Sequence, residues 1–241
     1  MMNCSDVPEW TYTHILKSNM EFTEFESIIR ILLPEADSLA LERFRKMDEL
    51  YRDWNSKINV ISRKDIDHLY DHHILHSLGI ALFLKNREPE VFRTWLEGGV
   101  SVLDLGCGGG FPGIPLSTLF PRTKFTLCDS IGKKITVARE VASALGLENA
   151  ECVNARAETL PGTYDYVVSR AVASLEDFLP WVKGKFRHQV LCLKGGDLAE
   201  ETALAMGRFR LPKGSVGVWP LNTVLHDEYF EGKNVVWVEK H

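Results

Sequence analysis

The sequence predicts an α/β fold: a doubly wound, mostly parallel seven-stranded sheet with an N-terminal helical layer. Three observations carry that expectation. Up to about residue 97 the apolar residues recur at helical spacing, and from Val100 onward short β-rich runs alternate strictly with helical stretches. The last two strand-like runs lie too close together for a helical crossover.

Taken in order, Ser38 to Trp54 places Leu41, Phe44, Met47, Leu50, Tyr51 and Trp54 three and four residues apart. Arg43, Arg45, Lys46 and Asp48 stand between them, with Ser38 as the expected N-cap. Asp65 to Leu84 repeats the spacing through Ile66, Leu69, Ile74, Leu78 and Leu82 and is expected to bend or break around Gly79. Residues 1–97 therefore read as a helical region, and residues 98–241 as a ligand-binding α/β domain. Strands are expected at Val100 to Leu105, Lys124 to Cys128, Ala150 to Val153, Tyr164 to Ser169 and Gln189 to Leu193. Helices are expected at Pro115 to Phe120, Ile131 to Leu145, Leu175 to Phe186 and Leu198 to Met206. Right-handed crossovers make those strands parallel, while Ser215 to Leu225 and Asn234 to Glu239 should close one edge as an antiparallel hairpin.

Composition narrows the class. With 241 residues, 45% hydrophobic and 25% charged, the chain is neither disordered, collagen-like nor a coiled coil. The first residues lack a basic and then apolar leader, and no run approaches the ~18 apolar residues of a membrane helix. Five cysteines without a C-x-x-C pair fit neither a disulfide framework nor a zinc site, so a cytoplasmic location is expected. A net charge of −5 argues against a broad nucleic-acid surface. The charge is uneven, however: residues 178–214 carry seven basic residues (Lys183, Lys185, Arg187, Lys194, Arg208, Arg210 and Lys213) against three acidic ones, close after the fourth and fifth strands. A solvated helix face is the ordinary reading of such a run; any nucleic-acid footprint would have to be local, drawn from these residues and supplemented by Arg43, Arg45, Lys46, Arg63 and Lys64.

The sharpest signal is Asp104-Leu105-Gly106-Cys107-Gly108-Gly109-Gly110-Phe111-Pro112-Gly113, directly after the first strand. In a doubly wound sheet that loop meets the ligand, and glycines let backbone approach it closely. Gly108-x-Gly110-x-x-Gly113 also satisfies the dinucleotide fingerprint, with Asp129 about 20 residues on. Asp104 favours S-adenosylmethionine over a dinucleotide, because an acid at the strand tip suits a cationic methionine end and repels a pyrophosphate. Asp129 is read as the ribose ligand or, alternatively, as a helix cap; Ala157 and Glu158, after the third strand, are placed beside an adenine.

Trp54-Asn55-x-x-x-Asn59, His73-Ile74-Leu75-x-Ser77, Phe111-Pro112-Gly113-Ile114-Pro115, Leu127-x-Asp129-Ser130-x-x-Lys133-Lys134, Ala157-Glu158, Ser169-Arg170-Ala171-x-Ala173-Ser174-Leu175 and Leu193-Lys194-Gly195 together resemble one family. It is the 16S rRNA (guanine-N7) methyltransferases, also called glucose-inhibited division protein B. The resemblance runs from about Leu50 to Leu193 and departs at Cys107, where the family usually has Thr, and at His76, where it often has Asp. It implies a class I methyltransferase fold and S-adenosylmethionine contacts at Gly106, Phe111, Ala157, Glu158 and Arg170, with Asp129 on the ribose; Asp104, Gly108 and Gly110 complete the expected cofactor set. It further implies methyl transfer to N7 of a guanosine in 16S rRNA, position 527 in the 530 loop, by a monomer acting on the small subunit or its assembly intermediate.

The residues agree with N7 chemistry in what they lack. The segment after the fourth strand reads Ser169-Arg170-Ala171-Val172, without the proline pair that orients an exocyclic amine, and no cysteine has the Pro-Cys setting of a cytosine methylase nucleophile. Guanine N7 carries a lone pair and no proton, so placement alone does much of the work. Arg170 and Lys194 are the candidate catalytic residues, expected to shape the pocket mouth, with an Arg170 salt bridge as the competing reading. His68, His72 and His76, spaced by four, could with Asp65 form a metal-binding helix face, but the expectation is no metal. A small-molecule methyltransferase and a non-catalytic, RNA-binding or division-associated factor remain the alternatives.

Overall fold

The computed structural model describes residues 19–170 and 173–240; Cys4, Ala171 and Val172 lie outside them. Four helices come first: α1 (Phe22–Leu32), α2 (Ser38–Lys57), α3 (His76–Arg87) and α4 (Pro89–Glu97). The α/β part then runs β1 (Ser101–Leu105), α5 (Gly113–Leu119), β2 (Lys124–Asp129), α6 (Gly132–Ala144), β3 (Ala150–Asn154), β4 (Tyr164–Arg170), α7 (Leu175–Val182), β5 (Phe186–Gly195), α8 (Ala199–Phe209), β6 (Val216–Pro220) and β7 (Lys233–Glu239). The seven strands form one sheet in the order β3-β2-β1-β4-β5-β7-β6. Strands β1 to β5 pair parallel, while β7 pairs antiparallel with both β5 and β6. The order reverses between β1 and β4, and ligands of such sheets bind beyond the carboxyl ends of the strands at that point.

Strand periodicity sorts the core into two clusters. Val102, Phe125, Leu127, Tyr166, Val168 and Leu191 bury against the N-terminal helices, α5 and α6, while Leu103, Leu105, Cys128, Val167 and Val190 face α7 and α8. Trp95 of α4, fully buried, meets Phe120, Phe125 and Tyr166 edge-on and ties the helical layer to the sheet.

Four local expectations change. Asp37, not Ser38, caps α2, its carboxylate accepting from the Ala40 amide at 2.8 Å. The chain does not break at Gly79, which lies inside α3. A Cβ there would stand 2.8 Å from Leu221 Cδ2, so the glycine serves close packing. The irregularity comes earlier, where Leu69–Leu75 winds as a π-helix after a 3-10 turn at Ile66–His68. At the other end, the helix expected to reach Phe186 stops at Val182, and the strand expected to reach Leu225 stops at Pro220. The final hairpin therefore has no short turn: residues 221–232 make a loop with two 3-10 turns, and this loop carries Tyr229 to the carboxyl edge of the sheet.

Candidate active site

The loop after β1 is built from backbone. Gly108 takes a φ of 56°, and a Cβ on it would meet nothing within 4 Å, so its open side is a cradle that a side chain would fill. Gly113 is needed for a different reason: a Cβ there would lie 2.7 Å from Asp104 Oδ2 and 2.8 Å from Leu127 Cγ. Asp104 is fully buried beneath the loop, and its Oδ2 accepts the Gly113 N–H at 2.7 Å. Burial pushes its carboxyl up to about 7, against the Gly113 hydrogen bond and Arg170, while its Oδ1 has no partner. Asp104 thus fastens the loop from below.

Asp129, at the end of β2, bonds two backbone segments. Oδ2 accepts the Gly108 N–H and Oδ1 the Ile131 N–H, both at 2.8 Å, so one carboxylate holds the loop and the start of α6. Each oxygen keeps a lone pair for a ribose hydroxyl. Ala157 is buried and Glu158 exposed in a short 3-10 turn beyond β3. The floor under the loop comes from Tyr51 of α2, which the sequence places only in an apolar stripe, and from the turn that follows the helix. Tyr51 donates to the Gly109 carbonyl at 3.0 Å, and Val60 packs where a Gly109 Cβ would be. Asn55 sets that turn by accepting the Val60 and Ile61 amides, each at 2.9 Å. Cys107, buried in the loop, has its thiol pushed well up by burial and offers no nucleophile.

Next to this loop the site is built from side chains. The Phe111 ring meets Tyr51 at 4.7 Å and the Arg170 guanidinium at 4.8 Å. Arg170 finds no carboxylate within ion-pair distance among the described residues; it donates to the His72 carbonyl at 3.2 Å and to His73 Nδ1 at 3.1 Å. His73 Nε2 in turn donates to Asp65 Oδ2 at 2.7 Å. That chain requires a neutral His73 with its proton on Nε2, and burial, reinforced by Arg170, holds its pKa down at about 4. For Asp65 burial works the other way, and the hydrogen bonds from His72 and His73 outweigh it to keep the carboxylate ionised.

A cavity of about 400 Å³ opens here, lined by Arg170, Leu193, Lys194, Gly195 and Glu201 from the sheet side and by Asp65, His72, His73, His76, Tyr229 and Lys233. Lys194 reaches it but is already engaged. Its ammonium donates to the Ala173 carbonyl at 2.5 Å and pairs with Glu201 at 2.7 Å, while Glu201 also accepts the Leu175 amide. Lys194 thus pins the start of α7. Tyr229 stacks on His72 at 3.7 Å and donates to the His72 carbonyl, and His76 bonds the Tyr229 hydroxyl at 3.1 Å. His68, His72 and His76 therefore do not share one ligand-bearing face: His76 turns to Tyr229 and Phe230. Neither Tyr229 nor Lys233 stood out in the sequence, since residues 226–233 read as no more than the short turn of the closing hairpin.

The expected basic footprint also changes. Helix α7 runs away from the carboxyl edge, so Lys183, Lys185 and Arg187 lie at the opposite edge of the sheet; α8 likewise carries Arg208, Arg210 and Lys213 there. Of the seven cations only Lys194 reaches the site. Arg43 caps the α6 end by donating to the Leu145 and Gly146 carbonyls, and Arg45 and Lys46 pair with Glu26 and Glu42. Arg63 and Lys64 stay exposed beside Asp65.

Comparison with known proteins decides what this geometry belongs to. The family model for rRNA small subunit methyltransferase G (GidB) matches residues 40–216. The chain belongs to that family. Ribosomal RNA small subunit methyltransferase G of Flavobacterium johnsoniae is 47% identical over 211 residues, 84% of this chain and 92% of that protein. Its Bacteroides fragilis counterpart is 46% identical over 225 residues, 88% of this chain and 92% of that protein. Among solved structures, magnesium protoporphyrin IX methyltransferase from Synechocystis with bound SAM shares the fold, with a TM-score of 0.56 and 13% identity over 94% of this chain and all of that one. As in its family, the cofactor is S-adenosylmethionine, and the cradle at Gly108 with the carboxylate of Asp129 fits it. No helix among the described residues is long and apolar enough to cross a membrane.

Proposed function

We propose that the protein transfers a methyl group from S-adenosylmethionine to N7 of a guanosine in the 530 loop of 16S rRNA, at position 527. The observation that carries this reading is the cavity wall beside Phe111. Its acids and His73 are already bonded: Asp65 to His72 and His73, Glu201 to Lys194 and the Leu175 amide, His73 through both ring nitrogens; His76, also neutral, bonds Tyr229 through Nδ1 and keeps its bare Nε2 buried. Such a wall orients a base without removing a proton from it, as in-plane attack by a guanine N7 lone pair demands.

The bound cofactor supplies an electrophilic methyl group on a sulfonium. Gly106, Gly108, Gly110 and Phe111 would hold it from the loop, Asp129 through the ribose, and Ala157 with Glu158 beside the adenine. Asp104 keeps the loop shaped. Arg170, fixed by His73 and Phe111, presents its guanidinium to the O6/N7 edge or a phosphate of the flipped nucleotide. Lys194 positions residues 173–175 through its bond to the Ala173 carbonyl and its pair with Glu201. Around the mouth, Arg63, Lys64, Lys133, Lys134 and Lys233 supply the phosphate contacts. Residues 98–241 serve as the cofactor-binding domain and the helices α1 to α4 of the region before it as its cover, acting as a monomer in the cytoplasm on the small subunit or a late assembly intermediate.

Mass mapping of 16S rRNA from a strain deleted for this protein, with and without complementation, tests the proposal. Loss and restoration of one N7-methylguanosine in the 530 loop is the expected result; an unchanged modification pattern rejects it.

A further inference from the structure

We propose that His68, Asp71 and His72 form a site for one divalent transition metal of the zinc class. This goes beyond methyl transfer and does not depend on the rRNA reading. The sequence offers His68, His72 and His76 with Asp65 as a possible ligand face that still needs a further ligand, and no metal is expected from it. The fold removes His76 from that face and brings in Asp71.

Three observations converge. Asp71 Oδ2 lies 3.1 Å from His68 Nδ1 and 3.7 Å from His72 Nε2, and one ligand atom from each residue falls within 4.8 Å of the others. A tetrahedral ion with ligands at about 2.0–2.1 Å places neighbouring ligand atoms about 3.3 Å apart, so the triangle has the right size with one position left open. Second, Asp71 is only 8% exposed, and its Oδ1 has no hydrogen-bond partner. A buried carboxylate with one oxygen bare carries a poorly compensated charge, and a cation on its Oδ2 neutralises that charge. Third, His72 Nδ1 sits 2.6 Å from Asp65 Oδ1. That carboxylate fixes the proton on Nδ1 and turns the Nε2 lone pair toward Asp71, the outer arrangement that metal-bound histidines use. Two nitrogens and one oxygen suit zinc, cobalt or nickel; magnesium and calcium want all-oxygen shells.

Binding has a structural consequence. The His68 and His72 rings are stacked 4.1 Å apart and 6° from parallel, and His72 also stacks on Tyr229. Parallel rings cannot both aim a lone pair at one centre, so the ion must tilt them. It would thereby tie the π-helix at Leu69–Leu75, whose His72 carbonyl and His73 hold Arg170, to the preceding turn.

The test uses untagged full-length protein freed of metal by chelator and titrated with Co²⁺, then Zn²⁺. One equivalent of Co²⁺ with a tetrahedral visible absorption, displaced by Zn²⁺, is expected. H68Q and D71N should each weaken binding at least about 100-fold, and D65N about 10-fold, at unchanged far-ultraviolet circular dichroism. Absence of saturable binding, or one equivalent that survives H68Q, overturns the proposal; His68 is partly exposed, so that variant decides even if D71N does not fold.

Discussion

The two halves of the site are made of different material. The cofactor half is backbone: a glycine loop between β1 and α5, held by Asp104 below and Asp129 at the side within about 30 residues of sequence. The proposed substrate half is side chain: Asp65, His72 and His73, Arg170, Lys194 with Glu201, and Tyr229 with Lys233 come from separate segments, with Tyr229 bonding His72 across 157 residues of sequence. A loop that binds through N–H groups and open space can be specified locally. A wall that orients a base has to be assembled by the fold.

The largest effect that would break this division is at Arg170, where the halves touch through Phe111. R170A should abolish methylation of small subunits, a loss of at least about 1000-fold. The same assay with measured S-adenosylmethionine binding checks it; wild-type turnover would remove Arg170 from the site. Next is G113A, whose Cβ meets Asp104 and Leu127. Overpacking of this kind costs about 1–3 kcal/mol and should appear by calorimetry as roughly 10- to 100-fold weaker cofactor binding. Y229A should do the opposite, lowering kcat/KM about 10-fold through loss of the His72 stack while cofactor affinity holds; Y229F, which keeps the ring, should lose less.

The halves also carry opposite pH signs. Asp104, raised to about 7, takes up a proton on folding between its ordinary value and 7, so its contribution falls as pH rises through that window. His73, lowered to about 4, sheds a proton on folding, so its contribution rises with pH between 4 and 6.5. In wild type the two offset each other. D104N, which keeps an acceptor for the Gly113 amide, should gain stability from pH 4 to 6.5 more steeply than wild type in denaturant titrations; parallel profiles would contradict the assignment. The smallest effect is a control remote from both halves: D37A should cost about 1 kcal/mol of stability by loss of the α2 cap and leave cofactor binding unchanged.

Legibility followed the same division. Strands β1 to β4 start within a residue of where their β-branched and apolar runs put them; β1, β2 and β4 are buried parallel strands, which need such runs. The antiparallel closing pair was legible too, though its loop was not: Leu221 to Leu225 has strand composition, but Leu221–Thr223 winds as a 3-10 turn with Leu221 over Gly79. Gly79 shows the limit of a local rule. A glycine that breaks a helix and one that admits a neighbouring leucine look the same in sequence, and only the neighbour distinguishes them. The cation-rich stretch from 178 to 214 failed for a topological reason, since its helices carry the charges to the far edge of the sheet.

By itself the sequence determined the parallel sheet, the glycine loop, the acids at the tips of the first two strands and the family, because each rests on residues adjacent along the chain or on periodicity; that those two carboxylates fasten the loop was decided by the fold. Tertiary structure alone decided that Tyr51 supports the loop, that His73 must be neutral to hold Arg170, that Lys194 is committed to Glu201, and that Asp71 rather than His76 joins His68 and His72. Each of these depends on which atoms meet across long sequence separations or on how one turn of helix is wound. Packing sets those distances, and no local pattern encodes them.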